Sequence, residues 1–345
     1  MSSSLPRNPA YFVERLRALG LRLREAVGQG ISTSTADQLS TATGDRGGDT
    51  IYRLDEHGEE ALLDFCAGWA EELPFLLVAE GLEGGGQVFP QGADPDSLAF
   101  TLIVDPIDGT RGLMYGKRSA WALFGVAPPP GPDRYPTLAD IRVALQAELP
   151  TARAALADVL WAACGQGVDA ETHDLRTGAL TRFVPRPSSA AGLAGGFAAI
   201  SKFFPGAKAA AARLEEDLFL ELLGPPTGGS PQVFDDEYIS SGGQLYELMM
   251  GHDRFLADLR PLLHDLSEGV PRLCCHPYDV CTELIAREAG VVVTDAFGRR
   301  LDAPLDTTSP VAWVGYANQQ IRQKVEPVLQ RLLTELLEER RGAVE

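Results

Sequence analysis

Three things are scarce in this chain. The first is long apolar sequence. No run approaches the roughly 20 residues that span a bilayer, so no membrane-crossing helix is expected. The second is paired cysteine. There are five in 345 residues, an odd number, and Met1-Ser-Ser-Ser-Leu-Pro6 lacks the basic-then-apolar pattern of a secretion signal. They read as reduced thiols of a cytoplasmic protein rather than a disulfide framework. Adjacent Cys274 and Cys275 lack C-x-x-C spacing and read as core thiols. The five histidines show no zinc spacing. The third is positive charge. Lys and Arg number 30 against 48 Asp and Glu, a formal net charge of −18. Such a chain is not built to hold a nucleic-acid backbone or an anionic membrane. The cluster Gly84-Gly85-Gly86 is no nucleotide loop, because no Gly-Lys-Ser/Thr follows it.

What is present centres on Val104-Asp105-Pro106-Ile107-Asp108-Gly109-Thr110. The apolar run Leu98 to Val104 reads as a buried strand. Asp-Pro is expected to stop it, since proline donates no backbone bond and restricts the residue before it. Two carboxylates three residues apart then share one tight turn. Gly109 permits that turn, and Gly109 and Thr110 can point N–H groups outward. Strand end, paired carboxylates and N–H donors suit a magnesium ion with a phosphate, because Mg²⁺ takes oxygen ligands from a few carboxylates, phosphate and water.

The other segments follow from period and punctuation. Asn8 to Val27 is an amphipathic helix that Gly28 and Gly30 end. Ile31 to Thr50 has loop composition. Asp55 stands before the helical run Glu59 to Cys66 and reads as its cap. Phe75 to Ala79 is a strand, and Glu80 and Glu83 follow it. Arg111, Lys117 and Arg118 form a basic cluster that either binds a second phosphate or balances nearby carboxylates. Ser119 to Val126, Ile141 to Leu149 and Ala155 to Cys164 are apolar segments, with a proline-rich excursion beginning at Pro128. Arg176-Thr177-Gly178 suggests a hairpin. Pro185 to Gly196 reads as the crossing between two halves. Ala207 to Leu223 is a helix, and Ile239 to Leu248 is a loop entering one, with Ser241 and Gly242 in its turn. Asp279 can cap the helix that Gly290 stops. Val325 to Glu339 is a charged amphipathic helix.

Asp105-Pro-Ile-Asp-Gly-Thr110 resembles the D-P-(I/L)-D-G-(T/S) signature of the inositol monophosphatase superfamily. Tyr278-Asp279 through Gly290 resembles its second signature, W-D-x-A-(A/G)-G-x-x-I-x-x-E-A-G-G. Tyr278 stands for tryptophan, Thr282 and Glu283 for small residues, and the span is one residue short. Ile285, Glu288, Ala289 and Gly290 match its end. The superfamily comprises magnesium-dependent, lithium-sensitive phosphatases of inositol phosphates, phosphonucleotides, sugar phosphates and histidinol phosphate.

The resemblance implies an α+β / α/β layered sandwich, the inositol monophosphatase-like sugar phosphatase fold. Residues 1–187 would form an α+β half and 188–345 an α/β half of one phosphatase domain. It implies two or three Mg²⁺ ions held by Glu80, Asp105, the Ile107 carbonyl, Asp108 and Asp279. Glu80, Thr110 and Asp55 would orient an attacking water, and Gly109, Thr110, Arg111, Ser241 and Gly242 would meet the substrate. Glu80 is what remains of a family G-E-E, here Ala79-Glu80-Gly81, and Asp55 of T-x-x-D, here Tyr52-Arg53-Leu54-Asp55. Residues 31–50 match a family hairpin near the metal site, where Arg46 replaces a lysine at a different spacing. Glu288 is expected to be structural. The implied reaction is in-line attack of water on a small phosphorylated metabolite. Arg111 and Gln244 depart from the inositol enzymes, and Arg111 with its basic cluster makes a 3′(2′),5′-bisphosphate nucleotidase or a sugar bisphosphatase the alternative. A non-catalytic phosphate- or metal-binding regulator is the second. The superfamily is commonly dimeric, and a homodimer is the matching expectation.

Overall fold

The computed structural model describes residues 5–46, 49–82, 86–132, 134–225, 230–264 and 273–342, with the backbone alone for 45, 46 and 49–51. Glu83 and the Arg46 side chain therefore lie outside the described residues.

Helix α1 spans Pro9–Thr33 and buries Phe12, Leu16, Leu19, Leu23 and Val27, a single stripe at helical spacing. It does not stop at Gly28. A helix tolerates glycine at about 1 kcal/mol, and Gly30 packs directly on the His57 ring. The region expected as loop holds a short α2 (Ala36–Leu39) and the antiparallel hairpin β1 (Ala42–Arg46) with β2 (Asp49–Tyr52). Its Ser/Thr/Gly composition hid this pairing because the hairpin carries no apolar period.

Next come α3 (Arg53–Trp69), β3 (Phe75–Ala79), β4 (Gln87–Phe89), β5 (Phe100–Asp108), α4 (Thr110–Met114), β6 (Ala120–Ala127), β7 (Val143–Leu149), β8 (Leu156–Ala163), β9 (Val168–Asp174) and β10 (Leu180–Phe183). The strands form an eight-stranded sheet in the order β10-β9-β8-β7-β6-β5-β3-β4, with β3 and β5 parallel. Strands β3, β5 and β6 are buried along their whole length. Such strands read as continuous apolar runs because both faces are covered.

The chain then builds β11 (Gly196–Ile200), α5 (Lys208–Leu223), β12 (Val233–Phe234), α6 (Ser241–Met249), β13 (Asp253–Asp258), α7 (Arg260–Leu263), α8 (Glu283–Glu288), β14 (Val292–Asp295), β15 (Trp313–Tyr316) and α9 (Gln319–Gly342). Its strands form a five-stranded sheet, β12-β11-β13-β15-β14. Helices α1 and α3 cover one face of the larger sheet. Helices α6 and α8 lie between the two sheets, and α5 and α9 cover the far face of the smaller one. Five alternating layers result, the layered sandwich expected from the sequence.

Contacts away from the cleft help to tie the halves together. The excursion after Pro128 docks on the distal segment through Leu138 N–H to the Ala303 carbonyl (2.9 Å) and Leu305 N–H to the Pro136 carbonyl (2.9 Å). The Glu288 carboxylate accepts from the N–H groups of Gly165 and Gly167, both at 2.8 Å, a structural part. All five cysteines are free. No described helix is long and apolar enough to cross a membrane.

Candidate active site

The site grows from the end of β5. The strand does not stop at Asp105-Pro106 but runs on to Asp108. Asp105 faces Leu123 of β6, and the next paired residue, Asp108, faces Trp121. Three steps on β5 oppose two on β6, so the ladder skips Pro106 and Ile107. A bulge of this kind is where a strand accommodates a residue that cannot donate. Asp105, 1% exposed, accepts the Ile107 N–H at 2.9 Å. Gly109 then turns the chain into α4 at φ 102°. A Cβ there would lie 3.1 Å from Ser240 Cβ and 3.2 Å from the Ile239 carbonyl, so both conformation and space demand glycine.

Asp108 is held by the second half of the chain. Ser240 is the N-cap of α6 and receives the Gly243 N–H at 2.8 Å. The Ser240 hydroxyl donates to Asp108 Oδ2 at 2.8 Å, and the N–H groups of Gly242 and Ser241 donate at 2.6 and 3.3 Å. The N–H groups of Ser241 and Gly242 thus orient a carboxylate. Ser241 also lines the cleft, as do Gly109, Thr110 and Arg111.

Asp279 enters from a short 3-10 helix, Pro277–Val280, and accepts the His276 N–H at 2.6 Å. Asp105, Asp108 and Asp279 each offer an oxygen within 4.8 Å of the others. Burial holds Asp105 well above the ordinary carboxylate range, with the charges of Glu80, Asp108 and Asp279 adding to it. Burial and Asp108 raise Asp279 likewise. Asp108 rises from 3.8 to about 6, burial outweighing its three hydrogen bonds. Three mutually repelling carboxylates, two of them buried and Asp279 partly open to the cleft, form a donor set of hard oxygens that a divalent cation satisfies. The residues present therefore fit magnesium.

Glu80 follows β3, whose Ala79 lies opposite Val104. Its N–H donates to the Val104 carbonyl at 3.2 Å, which sets it beside Asp105 at the same sheet edge. Asp55 is not the residue before a helix. Helix α3 begins at Arg53, so Asp55 sits third in it, and Oδ2 reaches back to the Tyr52 N–H at 2.8 Å. Its Oδ1 lies 2.8 Å from Thr110 Oγ1, which also lies 2.9 Å from the Ile107 carbonyl.

The basic cluster read from sequence does not hold together. Arg111, in the single turn of α4, lines the cleft. Lys117 is exposed. Arg118 turns away to pair with Asp236, with Glu247 at 3.6 Å and the Tyr238 ring beneath it. The turn after α4 sends consecutive cations in different directions. The cleft instead recruits Arg260, Phe203 and Phe204, which sequence reasoning missed. Cys274 also lines this cleft rather than the core, while Cys275 is buried.

No protein-family profile matches this chain, and no curated protein matches it by sequence. Solved structures do match. The holo form of Leishmania major fructose-1,6-bisphosphatase is 14% identical, with a TM-score of 0.65 over 97% of this chain and 100% of that one. The SuhB extragenic suppressor protein of Bartonella henselae is 14% identical, with a TM-score of 0.61 over 92% and 98%. The IMPase of Thermotoga maritima is 16% identical, with a TM-score of 0.58 over 94% and 99%. The chain has the inositol monophosphatase-like fold. In this inositol monophosphatase-like fold, the three carboxylates meet where the end of β5, the start of α6 and the Pro277–Val280 helix converge.

Proposed function

We propose that the protein is a magnesium-dependent phosphatase that hydrolyses a small phosphorylated metabolite. The observation that carries this reading is the convergence of Asp105, Asp108 and Asp279 within 4.8 Å, where all three line an open cleft. Asp105, Asp108 and Asp279, with Glu80 and the Ile107 carbonyl, would hold the Mg²⁺. That carbonyl keeps a second lone pair beside its contact with Thr110. When bound, the metal offsets the carboxylate charge and polarises the phosphoryl oxygens.

The protein's own groups then do two things. Thr110 Oγ1 has a single proton, which it gives to Asp55 or to the Ile107 carbonyl. With that proton committed, its lone pairs can only accept, so a water beside it is oriented with a proton toward Thr110 and another toward Glu80. This aims a water lone pair at phosphorus for in-line attack, and Glu80 is the general base. The N–H groups at the start of α4 have no intrahelical acceptor and face the phosphate. No serine or cysteine nucleophile is required.

Phosphate release from a panel of phosphomonoesters, with Mg²⁺, with EDTA and with added Li⁺, tests the reading. Turnover that requires Mg²⁺ and falls with Li⁺ supports it. Magnesium binding without turnover on any ester supports the regulator instead.

A further inference from the structure

Arg260 is 6% exposed and lines the same cleft as the three carboxylates. Its Nε donates to Asp258 at 2.8 and 3.1 Å and its Nη2 at 2.5 Å. Nη1 reaches the Leu273 carbonyl at 3.4 Å. A guanidinium has five N–H groups, so one remains on each Nη. Phe203 and Phe204 pack beside it, their ring centroids 4.9 and 5.5 Å from Cζ and 5.9 Å from each other, so both rings lie toward one side of the guanidinium. Arg111 lies 5.4 Å from the Phe204 ring and 5.4 Å from that of Tyr52.

We propose that Arg260 is a specificity residue whose in-plane N–H edge binds a second anionic group, carboxylate or phosphate, on the substrate. The proposal rests on the phosphatase reading for the first group. The N–H groups left over on the two Nη atoms lie in the guanidinium plane, and that edge fits the oxygens of a carboxylate or phosphate. Stability alone does not account for the Asp258–Arg260 pair, because a buried ion pair is seldom better than an apolar pair of the same volume. Asp258, 0% exposed at the end of β13, instead fixes the plane in which the arginine presents its edge. The competing role is general compensation for the acidic floor, which would act alike on every ligand.

Three non-hydrolysable probes separate the two roles: propylphosphonate, 3-phosphonopropanoate and propane-1,3-diphosphonate, titrated calorimetrically into the whole protein at fixed free Mg²⁺. Two charge-assisted hydrogen bonds predict that one or both bis-anionic probes bind at least about tenfold tighter than propylphosphonate. The two arms tell carboxylate from phosphate. Arg260→Gln strands the Asp258 carboxylate and endangers folding, so the second variant is Asp258→Asn with Arg260→Gln, which removes both charges. In it the preference should collapse toward one, and Arg260→Lys should fall between. A preference near one in the wild type, a preference unchanged in the double variant, or no binding of any probe overturns the proposal. If the preference is found but no ester is hydrolysed, the phosphatase reading fails and the anion site stands. If esters are hydrolysed without the preference, the reverse holds.

Discussion

Removing one charge from the acidic floor should stabilise the metal-free protein while abolishing its use of magnesium. Asp105 is the place to do it. It is buried, it takes one hydrogen bond from Ile107, and it faces the charges of Glu80, Asp108 and Asp279. Asparagine keeps the shape and the acceptor and deletes the charge. Replacing even a buried ion pair by neutral groups of similar volume is often neutral or stabilising by about 1–4 kcal/mol, and a carboxylate among like charges has no attraction to lose. At about 2.1 cal/mol/K of unfolding entropy per residue, a chain of this length converts 2 kcal/mol into about 3 °C. Calorimetry in EDTA at pH 8 should therefore place Asp105→Asn about 2–5 °C above the wild type. The sign with pH follows from the raised folded pKa. Between the ordinary value of 3.8 and that raised value, the folded state binds the proton that the unfolded state has released. Wild-type stability is thus fullest below about 4 and is lost as pH rises through this window; for Asp108 the window ends at about 6. The advantage of the asparagine should fade as the pH is lowered toward 4. Saturating Mg²⁺ should reverse the order, because only the wild type keeps the ligand; at a hundred times Kd a bound ion adds about 2.7 kcal/mol. A variant that melts at or below the wild type in EDTA at pH 8, or a gain that does not fade in acid, refutes this reasoning.

Three further outcomes are expected. Thr110→Ala removes the water-orienting hydroxyl and should lower kcat by about 10²- to 10⁴-fold, with KM moving far less in steady-state assays. Gly109→Ala forces a side chain into left-handed backbone at about 1–2 kcal/mol and against Ser240; both Tm and magnesium-dependent turnover should fall. Glu288→Ala leaves the N–H groups of Gly165 and Gly167 to water. It should cost about 1 kcal/mol in denaturant unfolding and leave turnover unchanged.

The parts that were legible in the sequence are those whose signal is local. The burial of β3, β5 and β6 shows as apolar runs, and Asp105, Asp108 and Asp279 announce themselves by turn chemistry around them. The resemblance put Thr110 and Asp55 in one site, but the reason Asp55 reaches Thr110 was not legible: α3 starts two residues earlier, at Arg53, where Tyr52 rather than a Ser, Thr, Asp or Asn stands at the N-cap. Pro106 misled about the end of β5, because a bulge removes the need for its missing N–H. Arg260 carries no local mark at all. Its role depends on β13 ending at a buried Asp258 and on β11, paired parallel to β13, delivering Phe203 and Phe204 beside it. Pairing between strands more than 50 residues apart is not written in either strand. Likewise, Arg111, Lys117 and Arg118 look like a cluster on paper, and only the turn after α4 separates them.

The central claim is that Asp105, Asp108 and Asp279 form a divalent-metal centre that receives a phosphate. The most direct test is a crystal grown with Mn²⁺ and inorganic phosphate, with data collected for manganese anomalous scattering. An anomalous peak coordinated by these three carboxylates, with phosphate density on its cleft side, is the predicted result. A cleft without a peak at the three carboxylates, or manganese bound only elsewhere, would contradict the account.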